Sequence, residues 1–282
     1  MKYLILGSSG QIGSALTAYI RNRNEEAIEF DIVRSPREDL RLYPNPLLES
    51  LVQSCDFVFF LAFDVGGSVY LKTYQNSYDF ISNNIKIMHT TFEILRKLKK
   101  PFVFASSQMA SMSHSSYGLL KAIGDHYTRS LGGLIVKFWN VYGVEHDLKK
   151  SHVITDFILK AMEHGKIEML TNGLEERQFL NSEDASRALV TLAQNYAVIS
   201  REKPLHVTNF EWTSIFGVAE IIAKHFPGTK IVASRDTDTV QLAQRNEPDP
   251  AIQKFWRPSI SLEEGIGKMV AYYTHLTNRK GL

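Results

Sequence analysis

Short, continuous apolar runs alternate along the chain with longer segments in which apolar residues recur every three or four positions. Tyr3 to Leu6, Ala27 to Ile32, Phe57 to Ala62, Phe102 to Ala105, Leu134 to Phe138 and Pro204 to Val207 have strand length. Between them, Ile12 to Asn22, Ser68 to Lys99, Ser116 to Leu131 and Asp184 to Tyr196 carry helical spacing. A strand that is apolar at consecutive positions is covered on both faces, and strands separated by helices pair in parallel through βαβ units. The pattern predicts an α/β fold with a doubly wound parallel sheet. From Gly143 onward the alternation loosens and Glu247 to Pro250 is loop-like, which predicts a smaller C-terminal domain interleaved with the sheet. The larger domain is read as 1–142 with approximately 179–209, and the smaller one as approximately 143–178 with 210–282.

Composition removes several function classes. With 32 Lys+Arg against 30 Asp+Glu, the net charge of +2 provides no long-range field for nucleic acid or anionic lipid. The densest basic run, Arg96 to Lys100, reads as a solvated helix end. Cys55 is the only cysteine, so neither an intrachain disulfide nor a thiolate metal cluster is expected, which fits a reducing, cytoplasmic compartment. No metal site is expected. The longest fully apolar run, Phe57 to Phe63, falls far short of the roughly 20 residues that cross a bilayer. Lys2 to Leu6 is broken by Gly7 and reads as a buried first strand instead of a secretory segment.

Chemistry enters directly after that strand. In Gly7-Ser8-Ser9-Gly10-Gln11-Ile12-Gly13 the glycines permit a tight turn, close backbone approach to a pyrophosphate and close helix-to-strand packing. Asp31, at the end of the second predicted strand, can accept hydrogen bonds from both ribose hydroxyls of an adenosine and would repel a 2′-phosphate. NAD is therefore expected, with Arg34 leaving NADP open. Tyr117 and Lys121 lie four apart on one helix face, where an ammonium can bring a phenol, ordinarily near pKa 10, toward the working range. Ser106 and Ser107 end the preceding strand on the side of a parallel sheet where ligands sit, and a hydroxyl there can bond the same substrate oxygen.

The chain resembles, over essentially its whole length, the extended short-chain dehydrogenase/reductases that act on nucleotide sugars, a family with a Rossmann fold. The resemblance rests on Gly7, Gly10 and Gly13, the pair Asp39-Leu40, Leu61-Ala62 and the Tyr117 to Lys121 motif. It continues through Asn140-Val141-Tyr142-Gly143, Arg177-Gln178-Phe179 with Glu183-Asp184, and Trp256-Arg257-Pro258 with Leu262-Glu263-Glu264-Gly265. It implies that Ser107, Tyr117 and Lys121 are catalytic. Gly7, Gly10, Gln11, Ile12, Gly13, Asp31, Asp39, Leu40, Leu61 and Ala62 would contact the cofactor together with Tyr117 and Lys121. Gly66 and Gly67 would line the sugar pocket, Asn140 and Arg177 would anchor a nucleotide diphosphate, and Asn84 would support the site.

Leu61 to Gly67 and Ser151 to Ile154 look most like the GDP-fucose synthase and GDP-mannose 3,5-epimerase branch, in which His152 matches a proton donor; His152 is also open to a plain substrate-bonding role. That branch places an acid/base cysteine where Met109 stands, and a thioether cannot move a proton. Sugar 4,6-dehydratases place Asp-Glu where Gln108-Met109 stand. What remains is NAD-dependent oxidation at C4 of a nucleotide-activated sugar, by a 4-epimerase or 4-dehydrogenase of surface-polysaccharide or glycoconjugate sugar biosynthesis. An NADPH-dependent 4-keto-sugar reductase is the alternative, and a silent NAD(P)-binding regulator a third reading. The resemblance also implies a homodimer joined through a four-helix bundle of the Ser68 to Lys99 and Ser116 to Leu131 helices.

Overall fold

In a computed structural model, which describes residues 1–241 and 246–280, the strands β1 (Lys2–Leu6), β2 (Glu26–Phe30), β3 (Phe57–Phe60), β4 (Phe102–Ser107) and β5 (Leu134–Phe138) are in one sheet. Beyond it lie β6 (Asn140–Tyr142), β7 (Lys166–Glu168), β8 (Glu176–Arg177) and β9 (Phe179–Asn181). β10 (Leu205–Val207) returns to the main sheet, and β11 (Thr213–Ser214) and β12 (Lys230–Val232) follow. The main sheet is parallel throughout, in the order β2-β1-β3-β4-β5-β10. Three two-stranded ladders, β6 with β9, β8 with β11 and β7 with β12, lie outside it.

Helices α1 (Gln11–Asn22), α2 (Pro46–Ser54), α3 (Ser68–Tyr74), α4 (Tyr78–Leu98) and α5 (Ser116–Ser130) belong to the first half. α6 (Val153–His164), α7 (Ser182–Gln194), α8 (Ile215–Ala223) and α9 (Leu262–Lys280) belong to the second. Alternate strand residues enter different apolar clusters. Tyr3, Ile5, Phe57, Phe59 and Val103 join Leu16 and Leu189 of α1 and α7 on one face. Leu4, Leu6, Val58, Phe60, Phe102 and Phe104 join Phe92 and Leu120 of α4 and α5 on the other. This two-sided burial is why the strands read as continuous apolar runs. Each such side chain stabilises the fold by about 1.5–3 kcal/mol. A third cluster, including Phe157, Ile158, Ile167, Val218, Ile222 and Ile266, unites α6, β7, α8 and α9.

Three predicted elements are corrected, one being the third strand, which stops at Phe60 and not Ala62 because only Val58 to Phe60 find register partners on β4. The segment Ser68 to Lys99 is two helices, because Ser77 caps α4 by accepting from the Phe80 N–H at 3.2 Å. The break releases Gln75, whose Oε1 accepts from Ser115 Oγ at 2.8 Å at the start of α5. The second strand ends at Phe30, not Ile32, because the Asp31 N–H donates to Glu38 Oε2 at 2.8 Å and leaves the ladder. Among the described residues, no helix is long and apolar enough to cross a membrane.

Candidate active site

The strand order reverses about β1 and β3, so the chain leaves these neighbours toward opposite faces and a crevice opens at their C-terminal ends. A cavity of about 680 Å³ occupies it. Gly7, Gly10, Gln11, Ile12, Gly13, Leu61 and Ala62 all line this cavity. Gly7 has φ +89°, and a Cβ on it would lie 2.7 Å from Ala62 N. Gly10 caps α1 without a side-chain bond, so the first turn of the helix keeps N–H groups available to an anion. This cradle fits the pyrophosphate of NAD.

At the C-terminal end of β2, Asp31 lines the cavity and accepts from Ser9 N and Val33 N, each at 2.9 Å. Arg34, which left NADP open, is held by Glu29 at 2.9 Å and Glu38 at 3.5 Å. With Glu38 also on the cavity wall, a 2′-phosphate would meet two carboxylates. Asp39 and Leu40 line the wall beyond, and the Arg41 guanidinium bonded to Asp39 holds that carboxyl below its ordinary range against the opposing effect of burial. Asp31→Ala should weaken NAD binding by about tenfold, a loss of about 1.4 kcal/mol, and shrink the preference for NAD over NADP. Equilibrium titration with both dinucleotides measures it, and an unchanged preference would remove Asp31 from this role.

Ser107, Tyr117 and Lys121 meet on the cavity wall at the C-terminal end of β4. Ser115 starts α5 by accepting from Gly118 N at 3.1 Å. Gly118 lets that helix press on the turn after β4, since a Cβ there would lie 2.3 Å from the Met109 carbonyl oxygen. Burial pushes the Tyr117 phenol up to about 12, with the Ser107 side chain pulling the other way. Burial likewise draws Lys121 down to about 7, opposed by Asp125. The Lys121 ammonium donates to the Ala105 carbonyl at 2.6 Å and lies 3.7 Å from the Phe63 ring centroid and 5.8 Å from that of Tyr117. In this geometry burial sets the direction and Ser107 is what opposes it, so the phenol is raised where the spacing to Lys121 led to an expectation of lowering. Met109 stands beside the trio, its N–H donating to Ser107 Oγ at 3.1 Å.

Gly66, Gly67, Asn140 and His152 line the far end of the cavity. Gly67 meets the segment before α6 so closely that a Cβ would lie 2.3 Å from the Ser151 carbonyl oxygen. His152 Nδ1 is 2.6 Å from Glu145 Oε1, and its N–H donates to Glu145 Oε2 at 3.0 Å. Burial raises Glu145, but the His152 contacts outweigh it and hold the carboxyl below its usual range.

Two predicted residues lie elsewhere. Asn84 is fully buried and brackets Asp64, accepting from its N–H at 2.7 Å and donating to its carbonyl at 3.1 Å. Arg177 is off the cavity wall, its guanidinium paired with Asp238 and bonded to the Glu176 carbonyl, so diphosphate binding would require it to exchange a carboxylate.

Residues that the sequence reading did not single out include Glu145 and Asp64. Asp64 accepts from Tyr70 at 2.7 Å, Lys150 at 3.2 Å and Asn83 at 3.2 Å. Lys150 also covers the Tyr70 ring at 4.4 Å and accepts from Gly67 N at 3.0 Å through its carbonyl.

Behind the wall, Trp139 Nε1 donates to His206 Nδ1 at 3.4 Å. Burial, then Lys137, lowers His206 to about 4. The unfolded imidazole titrates near 6.5, so folding favours the neutral ring. Stability should be complete above pH 6.5 and decline by up to about 3 kcal/mol as pH falls toward 4. Urea melts across this range, compared with His206→Asn, check it: equal slopes would exclude His206 as the cause.

A sequence model described as the NAD dependent epimerase/dehydratase family matches residues 3–207. The chain belongs to that family. A dTDP-L-rhamnose 4-epimerase of Burkholderia thailandensis is 29% identical, with 59% of this chain and 48% of that protein covered. The matched part is thus about half that relative's length. A UDP-glucuronic acid decarboxylase 1 of Xenopus tropicalis is 22% identical over 96% of this chain and 72% of its own. Among solved structures, an epimerase of Methanothermobacter thermautotrophicus superimposes with a TM-score of 0.81 at 19% identity, covering 97% of this chain and 92% of that one. A GDP-6-OMe-4-keto-L-xylo-heptose reductase from C. jejuni superimposes at 0.79 and 17% identity, covering 98% of each chain. These likenesses establish the Rossmann-like fold. Membership places this chain in a family of NAD-dependent epimerases and dehydratases.

Proposed function

We propose that this enzyme oxidises C4 of a nucleotide-activated sugar, acting as a 4-epimerase or 4-dehydrogenase. The convergence of Ser107, Tyr117 and Lys121 on one wall of the cavity that holds the glycine cradle carries the reading. NAD held by the glycine cradle would supply a hydride acceptor for C4 and a donor for its return. Tyr117, as phenolate, takes the proton of the C4 hydroxyl as that oxygen becomes a carbonyl, and Ser107 donates a hydrogen bond to the same oxygen. Lys121 supplies positive charge beside the phenolate and a donor for the nicotinamide ribose. Asn140 and His152 hold the sugar nucleotide beside Gly66 and Gly67, with Arg177 reaching the diphosphate once it releases Asp238. A ketone that turned over in the pocket before being reduced again would emerge as the C4 epimer; one that left would make the enzyme a dehydrogenase. Asp31 and Glu38 favour this pair over an NADPH-dependent reductase.

The proposal carries the division into a dinucleotide-binding part, 1–142 with approximately 179–209, and a sugar-binding part formed by the rest. It also includes a homodimer. Leu119, Ile123 and Tyr127 form an exposed apolar stripe at four-residue spacing on α5, and Ile85 of α4 is exposed as well. Incubating the purified enzyme with a panel of GDP-, UDP- and dTDP-sugars, following both reduced nicotinamide and sugar products, tests the activity. Net reduction of NAD marks a dehydrogenase, and a C4 epimer without net reduction marks an epimerase. No change in any sugar, with NAD bound, would overturn the reading.

A further inference from the structure

Glu145, in the loop between β6 and α6, lines the cavity with its side chain only 7% exposed, and the chemistry proposed above does not use it. Tyr273 of α9 grips its backbone, the hydroxyl accepting from the Glu145 N–H at 3.0 Å and donating to the Glu145 carbonyl at 3.3 Å. His152 meets the carboxylate so held twice. Its backbone N–H donates to Oε2 at 3.0 Å, and its imidazole Nδ1 lies 2.6 Å from Oε1. His152 is the N-cap of α6, yet its side chain makes no capping bond, so the ring is not what starts the helix.

The nitrogen of an imidazole that carries the proton is set by what the ring bonds. Against burial, the His152 contacts hold the Glu145 carboxyl below its usual range, so both of its oxygens are acceptors. An Nδ1 facing such an oxygen at 2.6 Å bears a hydrogen whether the ring is neutral or charged. Nε2 is the nitrogen left over. Among the described residues it has no hydrogen-bond partner, and its ring lines the cavity and is 41% exposed. In the neutral ring that nitrogen is a lone-pair acceptor, matched by a hydroxyl.

We propose that Glu145 is a positioning residue that keeps the His152 proton on Nδ1, so that Nε2 accepts a hydrogen bond from a hydroxyl of the sugar nucleotide. This rests on the reading of His152 as a sugar-binding group. Glutamine at position 145 has one oxygen for two tasks. The backbone N–H can only donate, whereas the ring can exchange its roles, so the glutamine oxygen should stay on the N–H and its amide NH2 should face Nδ1. That would drive the ring proton to Nε2 and turn an acceptor into a donor.

The test is nitrogen NMR of the His152 ring, on the alkaline side of its own titration, in wild type, Glu145→Gln and Glu145→Asp, alongside steady-state rates on the active nucleotide sugar. Wild type should show the Nδ1–H form, and Glu145→Gln the Nε2–H form with KM raised about tenfold and kcat within about threefold. Glu145→Asp, which keeps both oxygens, should retain the wild-type form. A carboxylate that merely fastened the start of α6 would lower the melting temperature and leave the ring form unmoved in folded Glu145→Gln, which would overturn the proposal. So would a wild-type ring protonated at Nε2, a result that depends on no variant folding, or a switched ring form with KM unmoved. A switched form in an enzyme that turns over no nucleotide sugar supports the control of His152 by Glu145 while overturning the reaction assigned to the site.

Discussion

Tyr117→Phe is expected to lower turnover by about a thousandfold while leaving NAD affinity nearly unchanged. The substitution removes one oxygen and retains the ring. A phenylalanine at this position would keep the edge-on contact with Phe63, whose ring centroid is 5.7 Å away, and the apolar burial around it. Only the interaction with Ser107 is lost from the fold, so the melting temperature should move little. What disappears is the atom that takes the C4 proton in the proposed reaction. Steady-state rates on the active nucleotide sugar, paired with a dinucleotide titration, separate these effects. Turnover within a few-fold of wild type would remove Tyr117 from catalysis.

Gly13→Ala should be the most damaging single-methyl change in the cofactor cradle. A Cβ on Gly13 would lie 2.0 Å from the Gly7 carbonyl oxygen and 2.8 Å from Ser8 Cα, both backbone atoms that no rotamer can move aside. α1 would have to shift away from β1, destabilising the protein by about 3 kcal/mol and displacing the N–H groups that face the pyrophosphate. Thermal melts with and without NAD should show a lower transition and loss of most cofactor-dependent stabilisation. Gly10→Ala is the control, because its Cβ would meet the nearest atom, Gly7 O, at 3.4 Å, an ordinary contact. Equal melting temperatures for Gly13→Ala and wild type would contradict the clash.

The sheet and the cradle were legible because their signals are local. Two-sided burial writes continuous apolar runs, and a glycine turn or a Tyr-x-x-x-Lys pair lies within a few residues. The second half was less legible. α8, Ile215–Ala223, is apolar nearly all round and shows no stripe, while α2, Pro46–Ser54, depends on the Asn45 cap and a proline start more than on periodicity. Site contacts that join distant segments left no pattern. Asp64 and Lys150 are 86 positions apart, and Arg177 finds Asp238 across 61. The Tyr117–Lys121 spacing correctly placed both groups on one face, but sequence could not show that burial dominates their acidities.

The contacts of Lys150 act as three pins through one hinge. Its ammonium holds Asp64 and covers Tyr70, and its carbonyl holds the Gly67 N–H, so the segment before α6 is fastened to the start of α3 by charge, ring and backbone together. Both fastened segments border the cavity. Widening that side of the cleft means breaking the three together, and salt, which screens only the ion pair, would loosen one pin and leave two.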